Sequence, residues 1–255
     1  MLRRIAVVTA DKKYFGKISK ADEDPDTQFV QVPPGTALPP ASVGLIAPTA
    51  KQNPKDVLEA AIGLAQRYDE LLYLIADVVD SQEGVVEGTS RRVQEHAARF
   101  AAALDLPAEE HLALTRAALL RGIGMLKVPV DVRFKKDMLT YDEWALLHAH
   151  PQFGAEMVAE TSALKDTADI ILTHHECFDG TGYPEGLEGD QIPRLGRVMK
   201  ILDVYCAMTS PRHYRESHAS HEEASEHLKS ERGKHFDPEL IDVFLAKNVG
   251  QTPDP

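Results

Sequence analysis

From residue 53 onward the apolar side chains recur at a helical period, and prolines mark where the stretches stop. In PKDVLEAAIGLAQRYDELLYLIADVVD, the residues Val57, Leu58, Ala61, Ile62, Ala65, Tyr68, Leu71, Leu72 and Ile75 fall on one stripe. Asn53 suits the N-cap and Pro54 the first helical position. Further helices are predicted over residues 89–104, 108–121, 140–148, 151–160, 165–175, 195–209, 221–230 and 238–246. Pro107, Pro129, Pro151, Pro193 and Pro238 supply the boundaries. With no internal repeat and no low-complexity tract, this pattern predicts a connecting helix over 53–80 and a compact all-helical domain over 81–255.

Residues 1–52 have a different texture. RRIAVVTA, TQFVQV and ASVGLIAP are short, β-branched and bounded by Pro, Gly and Asp, as buried strands are. DKKYFGKISK between the first two suits a helix, so the segment reads as a small α/β domain, a truncated relative of a receiver domain. The end of its third strand is Ala47-Pro48-Thr49, where a receiver would carry its phosphoacceptor aspartate; phosphorylation there is not expected.

The 255 residues suffice to bury a full core. A net charge of −12 leaves no broad basic face, which argues against nucleic acid as a partner. No apolar run reaches the roughly 18 residues that span a bilayer, and the start MLRRIAVVTADKK lacks a signal-peptide cleavage pattern. Two cysteines, Cys177 and Cys206, make no disulfide framework, so a reducing cytoplasm is the expected home.

Chemistry concentrates in three places. HHECFDGTGYPEG, residues 174–186, opens with His174 and His175. His150 stands where Pro151 separates two helical stretches. Asp203 lies in the apolar helix RVMKILDVYCAMTS, where an unpaired carboxylate would be costly. Imidazoles and carboxylates converging from several helices are the donor set of a hydrolytic iron, manganese or zinc site. Cys206, one turn after Asp203, and Cys177 are expected as buried structural thiols. His111, His218, His221, His227 and His235 are expected at the surface or at helix caps.

HHECFDGTGYPEGLEGDQIP, RVMKILDVYCAMTSPRHYR and GKHFDPEL together resemble the HD-GYP domain, over about residues 83–244. These HD-superfamily metallophosphodiesterases hydrolyse the bacterial second messenger cyclic di-GMP. The resemblance implies a helical bundle holding two or three ions, usually iron or manganese, that activate water for in-line attack on a phosphodiester. It also implies which positions matter. His150, His174 and His175 match three family histidines, and Asp203 matches the late aspartate. The first family histidine falls on Thr89, and the name-giving His-Asp pair falls on Arg121 and Gly122 in LLRGIGMLKVP. The lysine after that pair falls on Met125, and the second aspartate of the late helix falls on Cys206. The glutamate of three-metal members falls on Val85.

Glycine cannot bridge two metals, and a permanent guanidinium repels a second cation. The half-site of Thr89, Arg121 and Asp203 is therefore expected to hold no metal, with Arg121 reaching to Asp203 in place of an ion. His150, His174 and His175 are expected to hold one transition-metal ion (iron, manganese or zinc) or none. Arg197, Arg212 and Arg215 follow the GYP segment and suit phosphate binding. In the loop, Asp179, Gly180, Gly182, Tyr183 and Pro184 shape the turn, and the resemblance links it to diguanylate cyclase contacts. The favoured reading is a catalytically impaired HD-GYP protein in cyclic di-GMP signalling, acting through nucleotide binding or through docking of a diguanylate cyclase or other signalling protein. The alternatives are an active phosphodiesterase with a reduced metal site, and a pure interaction module. The long helix at 54–80 offers a surface for a homodimer.

Overall fold

A computed structural model describes residues 3–8, 27–32, 44–46, 54–83, 85–210 and 218–251, with side chains from residue 66 onward. The chain divides into two compact units, Met1–Leu72 and Tyr73–Pro255, the division falling within the first long helix. In the first unit, β1 (Arg3–Val8) is the central strand of a three-stranded sheet. It pairs in parallel with β2 (Thr27–Val32) and β3 (Gly44–Ile46), so that Ile5 lies opposite both Phe29 and Gly44. Near-continuous apolar runs suit strands of a parallel sheet better than alternating ones do. The helix expected at DKKYFGKISK and the Ala47-Pro48-Thr49 strand end lie outside the described residues.

The second unit is helical. Helix α1 (Pro54–Glu83) runs into it, followed by α2 (Thr89–Ala103) and α3 (Ala108–Leu120). Then come a 3-10 turn (Ile123–Lys127), α4 (Val130–Arg133), α5 (Tyr141–His148) and α6 (His150–Ala159). A second 3-10 turn (Lys165–Thr167) leads into α7 (Ala168–Thr173), and α8 (Arg194–Thr209), α9 (His221–Ser230) and α10 (Pro238–Ala246) complete the bundle. Phe100 of α2, Phe244 of α10 and Tyr205 of α8 meet edge to face at 5.2–5.3 Å between rings, at zero to 2% exposure. Beside them His96 is buried, its Nδ1 3.2 Å from the Val249 carbonyl.

The helix expected over 165–175 is interrupted: α7 ends at Thr173, which puts His174 and His175 in the turn that follows. Helix α6 starts at His150, with Ala149 serving as both the last cap of α5 and the first of α6. Pro151 thus sits inside the first turn, where its missing N–H costs nothing. The short elements at Ile123–Lys127 and Val130–Arg133 escaped the sequence reading because one turn carries too little periodicity.

Backbone packing sets the position of His150. A β-carbon on Gly124 would fall 1.9 Å from the His150 carbonyl oxygen and 2.6 Å from the Gly154 nitrogen. The 3-10 turn therefore lies directly on the start of α6. Gly124→Ala must push the two backbones apart; it is expected to cost at least the ~1–3 kcal/mol of core overpacking and to weaken metal binding through His150, measured by thermal unfolding and metal titration. Burial lowers His96 from 6.5 to about 4. Its unfolded form therefore takes up protons first, so stability is lost as pH falls from about 6.5 toward about 4. The expected slope is about 1.4 kcal/mol per pH unit, and urea midpoints across that window should flatten in His96→Phe.

Candidate metal centre

Four segments aim side chains into one cavity of about 240 Å³. The start of α6 contributes His150, the turn after α7 contributes His174 and His175, and α8 contributes Asp203. The end of α3 and the turn after it contribute Arg121, Gly122 and Met125, with Val85 and Thr89 completing the wall. The candidate ligands and the family positions lacking one thus share a single space.

The three histidines form a compact cluster. One nitrogen from each lies within 4.8 Å of the others, and the ring centroids are 4.0–5.4 Å apart. His150 Nδ1 lies 2.8 Å from the Leu147 carbonyl, and His174 Nδ1 lies 2.6 Å from the Ile171 carbonyl. A carbonyl only accepts, so these Nδ1 atoms donate, which leaves Nε2 as the lone-pair nitrogen in each neutral ring. Burial lowers all three, His174 to about 3 and His175 well below its ordinary value. Neutral imidazoles are the state a metal requires, two of them, His150 and His174, have the outer nitrogen held by a carbonyl, and this donor set fits one transition-metal ion.

The other side of the cavity is already cationic. Arg121 is 7% exposed and donates through Nε to Asp203 Oδ1 at 2.8 Å. Its NH1 donates to Ser90 Oγ at 3.0 Å and to the Ala118 carbonyl at 3.1 Å. Ser90 in turn donates its hydroxyl to buried Asp80 at 2.6 Å, and Asp80 also accepts the Ser90 N–H at the start of α2. Burial would raise Asp203, but Arg121 first and then His175 and His174 hold it well below the usual carboxylate range. Thr89 has committed its hydroxyl to the Val86 carbonyl at 2.6 Å. The pairing of Arg121 with Asp203 expected from the sequence is present, and the residues around it do not fit a second ion.

The GYP loop closes the histidine side. Tyr183 stacks on His175 at 4.8 Å and on His148 at 4.1 Å, and Trp144 continues the row at 5.2 Å from His148. Gly180 adopts φ +77, and a β-carbon on Gly182 would lie 2.2 Å from the Cys177 nitrogen. Asp179 accepts from the Thr181 N–H at 3.1 Å and its hydroxyl at 2.6 Å, which braces the turn. Pro184 follows a cis peptide. Glu176, 1% exposed, accepts the backbone N–H groups of Glu185 and Leu187 at 2.8 and 3.2 Å.

Arg197 is placed elsewhere. It ion-pairs through one terminal nitrogen with Asp237 at 2.7 Å and Asp190 at 2.8 Å and does not line the histidine cavity. Arg212 and Arg215 lie outside the described residues. Cys206 is buried, which pushes its thiol up to about 12, and Cys177 is buried too, as expected of structural thiols. Sequence reasoning missed His148 and Glu176. The signal for Glu176 was its place beside the histidine pair in a segment rich in backbone turns; His148 carried none.

The family model described as HD domain matches residues 73–240. The chain belongs to the HD domain family. This HD-domain chain is 30% identical to the 3'3'-cGAMP-specific phosphodiesterase 2 of Vibrio cholerae, over 72% of its own length and 35% of the relative's. It is 31% identical to the cyclic di-GMP phosphodiesterase response regulator RpfG of Xanthomonas campestris, over 76% and 55%. With the cyclic di-GMP phosphodiesterase PA4108 of Pseudomonas aeruginosa it shares 41% identity over 54% and 33%. It thus spans between a third and about half of these relatives. A crystal structure of a cyclic GMP-AMP-specific phosphodiesterase of Vibrio cholerae superposes with a TM-score of 0.53 at 19% identity, covering 69% of this chain and 48% of that one, which establishes a shared fold. Among the described residues no helix is long and apolar enough to cross a membrane.

Glu176 gives a direct check on the loop. Glu176→Gln turns one of two acceptors into a donor facing a buried N–H, at an expected cost of about 1–3 kcal/mol. Hydrogen exchange should rise at residues 178–189 ahead of the rest of the unit.

Proposed function

We propose that this chain is a catalytically impaired HD-GYP protein of bacterial cyclic di-GMP signalling, which binds a cyclic dinucleotide or docks a signalling partner instead of turning the nucleotide over rapidly. The observation that carries this reading is the Arg121–Asp203 ion pair at 2.8 Å. It occupies the half of the site where the family resemblance calls for a metal held by a His-Asp pair. The relatives' names supply the ligand class, and cyclic di-GMP and 3'3'-cGAMP are both candidates. At about 240 Å³ the cavity is small beside the ~300–1,000 Å³ of typical ligand pockets. On this reading it takes one phosphodiester, while Tyr183, His148 and Trp144 offer ring faces to a base at its edge.

The His150–His174–His175 cluster favours a second reading, a slow phosphodiesterase with a single ion. An ion held there would polarise a phosphodiester oxygen. The chain's own part would be to present three neutral imidazoles, those of His150 and His174 through Nε2, and to keep Asp203 ionised in the same cavity. Iron, manganese and zinc all suit that donor set.

The organisation read from the sequence belongs to the same proposal: a domain over 1–52, a connecting helix over 53–80 and an HD-GYP-like domain over 81–255. The strand order 2-1-3 is that of the first strands of a flavodoxin-like sheet, which supports a receiver-like origin for the first segment. A cytoplasmic location and a homodimer are part of this reading too, the latter supported by Leu74 and Val78, which α1 exposes at 60% and 48%.

Calorimetric titration with each cyclic dinucleotide, paired with chromatography after incubation with Mn(II) or Fe(II), separates the readings. Binding without linear product is expected. Turnover that His174→Ala abolishes would replace the first reading with the second, and no binding of either nucleotide would leave an interaction module.

A further inference from the structure

Gly122 stands where the resemblance puts the bridging aspartate, yet the space beside it is filled. A β-carbon built on Gly122 would fall 1.5 Å from Glu83 Oε1, 2.5 Å from its carboxylate carbon and 3.1 Å from Val79 Cγ1. The backbone at Gly122, φ −88 and ψ 0, is open to any L-residue, so conformation does not require glycine here. A side chain at 122 would instead have to displace the carboxylate end of Glu83, delivered from the last turn of α1 into the cavity.

Glu83 and Arg121 line the same cavity, with Asp203. Burial would lower Arg121, but the charge of Asp203 and then that of Glu83 raise it above its ordinary value. We propose that Glu83 is a relocated carboxylate of this site: Glu83, Arg121 and Asp203 form a fixed carboxylate–guanidinium–carboxylate unit that takes the place of a second metal ion, and Gly122 is glycine because Glu83 stands in its side-chain space.

The charges support this assignment. Two carboxylates around one guanidinium leave one net negative charge beside three neutral imidazoles, an environment that attracts a single cation to the histidines. A divalent ion at Arg121 itself would meet a permanent positive charge in a poorly screened space. An aspartate introduced by Gly122→Asp would enter space that the Glu83 carboxylate already occupies, so one of the two carboxylates must move.

Two stability measurements on the full chain test the proposal, and neither depends on nucleotide binding or turnover, so the proposed function can fail without it. In a double-mutant cycle, Gly122→Ala is expected to lower the unfolding midpoint in the native background and to lower it less than half as much with Glu83→Ala. Equal losses in both backgrounds overturn the placement of Glu83. In the second measurement Arg121→Ala vacates the cation position. Millimolar Mn(II) should then raise its unfolding midpoint at least twice as far as it raises the native protein's, and adding Glu83→Gln should cancel the extra rise. A Mn(II) shift no larger than the native one overturns the cation replacement. Should Arg121→Ala not fold in either condition, Arg121→Gln, which keeps a hydrogen bond to Asp203, is read the same way.

Discussion

The buried guanidinium of Arg121 holds the candidate site in its observed form. It ties α3 to α8 through Asp203 and to α2 through Ser90, and Asp80 of α1 holds Ser90 in turn. Four helices therefore share one chain of polar contacts across the floor of the cavity. A buried ion pair is poor evidence for added stability, since desolvation offsets much of its attraction. Its effect is on specificity: losing either partner leaves a buried charge unpaired, at about 3–5 kcal/mol, so the arrangement admits few alternatives.

That cation also sets the electrostatics of its neighbours. Asp203 stays ionised next to it, and the histidines stay neutral chiefly because burial disfavours their protonation, with Arg121 adding a little at His150 and His174. An ionised carboxylate and three neutral imidazoles are what a single metal ion would want. A fixed cation and a cluster of neutral imidazoles thus stand at opposite sides of one cavity.

Much of this was legible in the sequence. The helical segments from residue 89 to 246 follow their apolar period and proline boundaries closely, because helix formation is local and periodicity reports it directly. Arg121 could be paired with Asp203 in advance because the resemblance puts both at ligand positions of one site, and a carboxylate kept on an apolar helix without its metal partners calls for another cation. Glu83 was invisible, since it lies in no motif and its place beside Gly122 depends on how α1 ends against the turn after α3. The partners of Arg197 were hidden for a related reason. A basic residue after a ligand-binding segment suggests phosphate, but whether Asp190 and Asp237 reach it first is a question of packing.

By itself, then, the sequence determined the helical class of the larger unit, its likeness to the HD family, and which residue types stand where that likeness points. These are properties of residue identity and local spacing. Tertiary structure alone decided that the side-chain space of Gly122 is filled from α1, that His150 and His174 present Nε2 with Nδ1 held by carbonyls, and that Arg197 pairs with Asp190 and Asp237. Each of these is set by distances of a few ångströms between residues far apart in the chain, to which periodicity and motif spacing are blind.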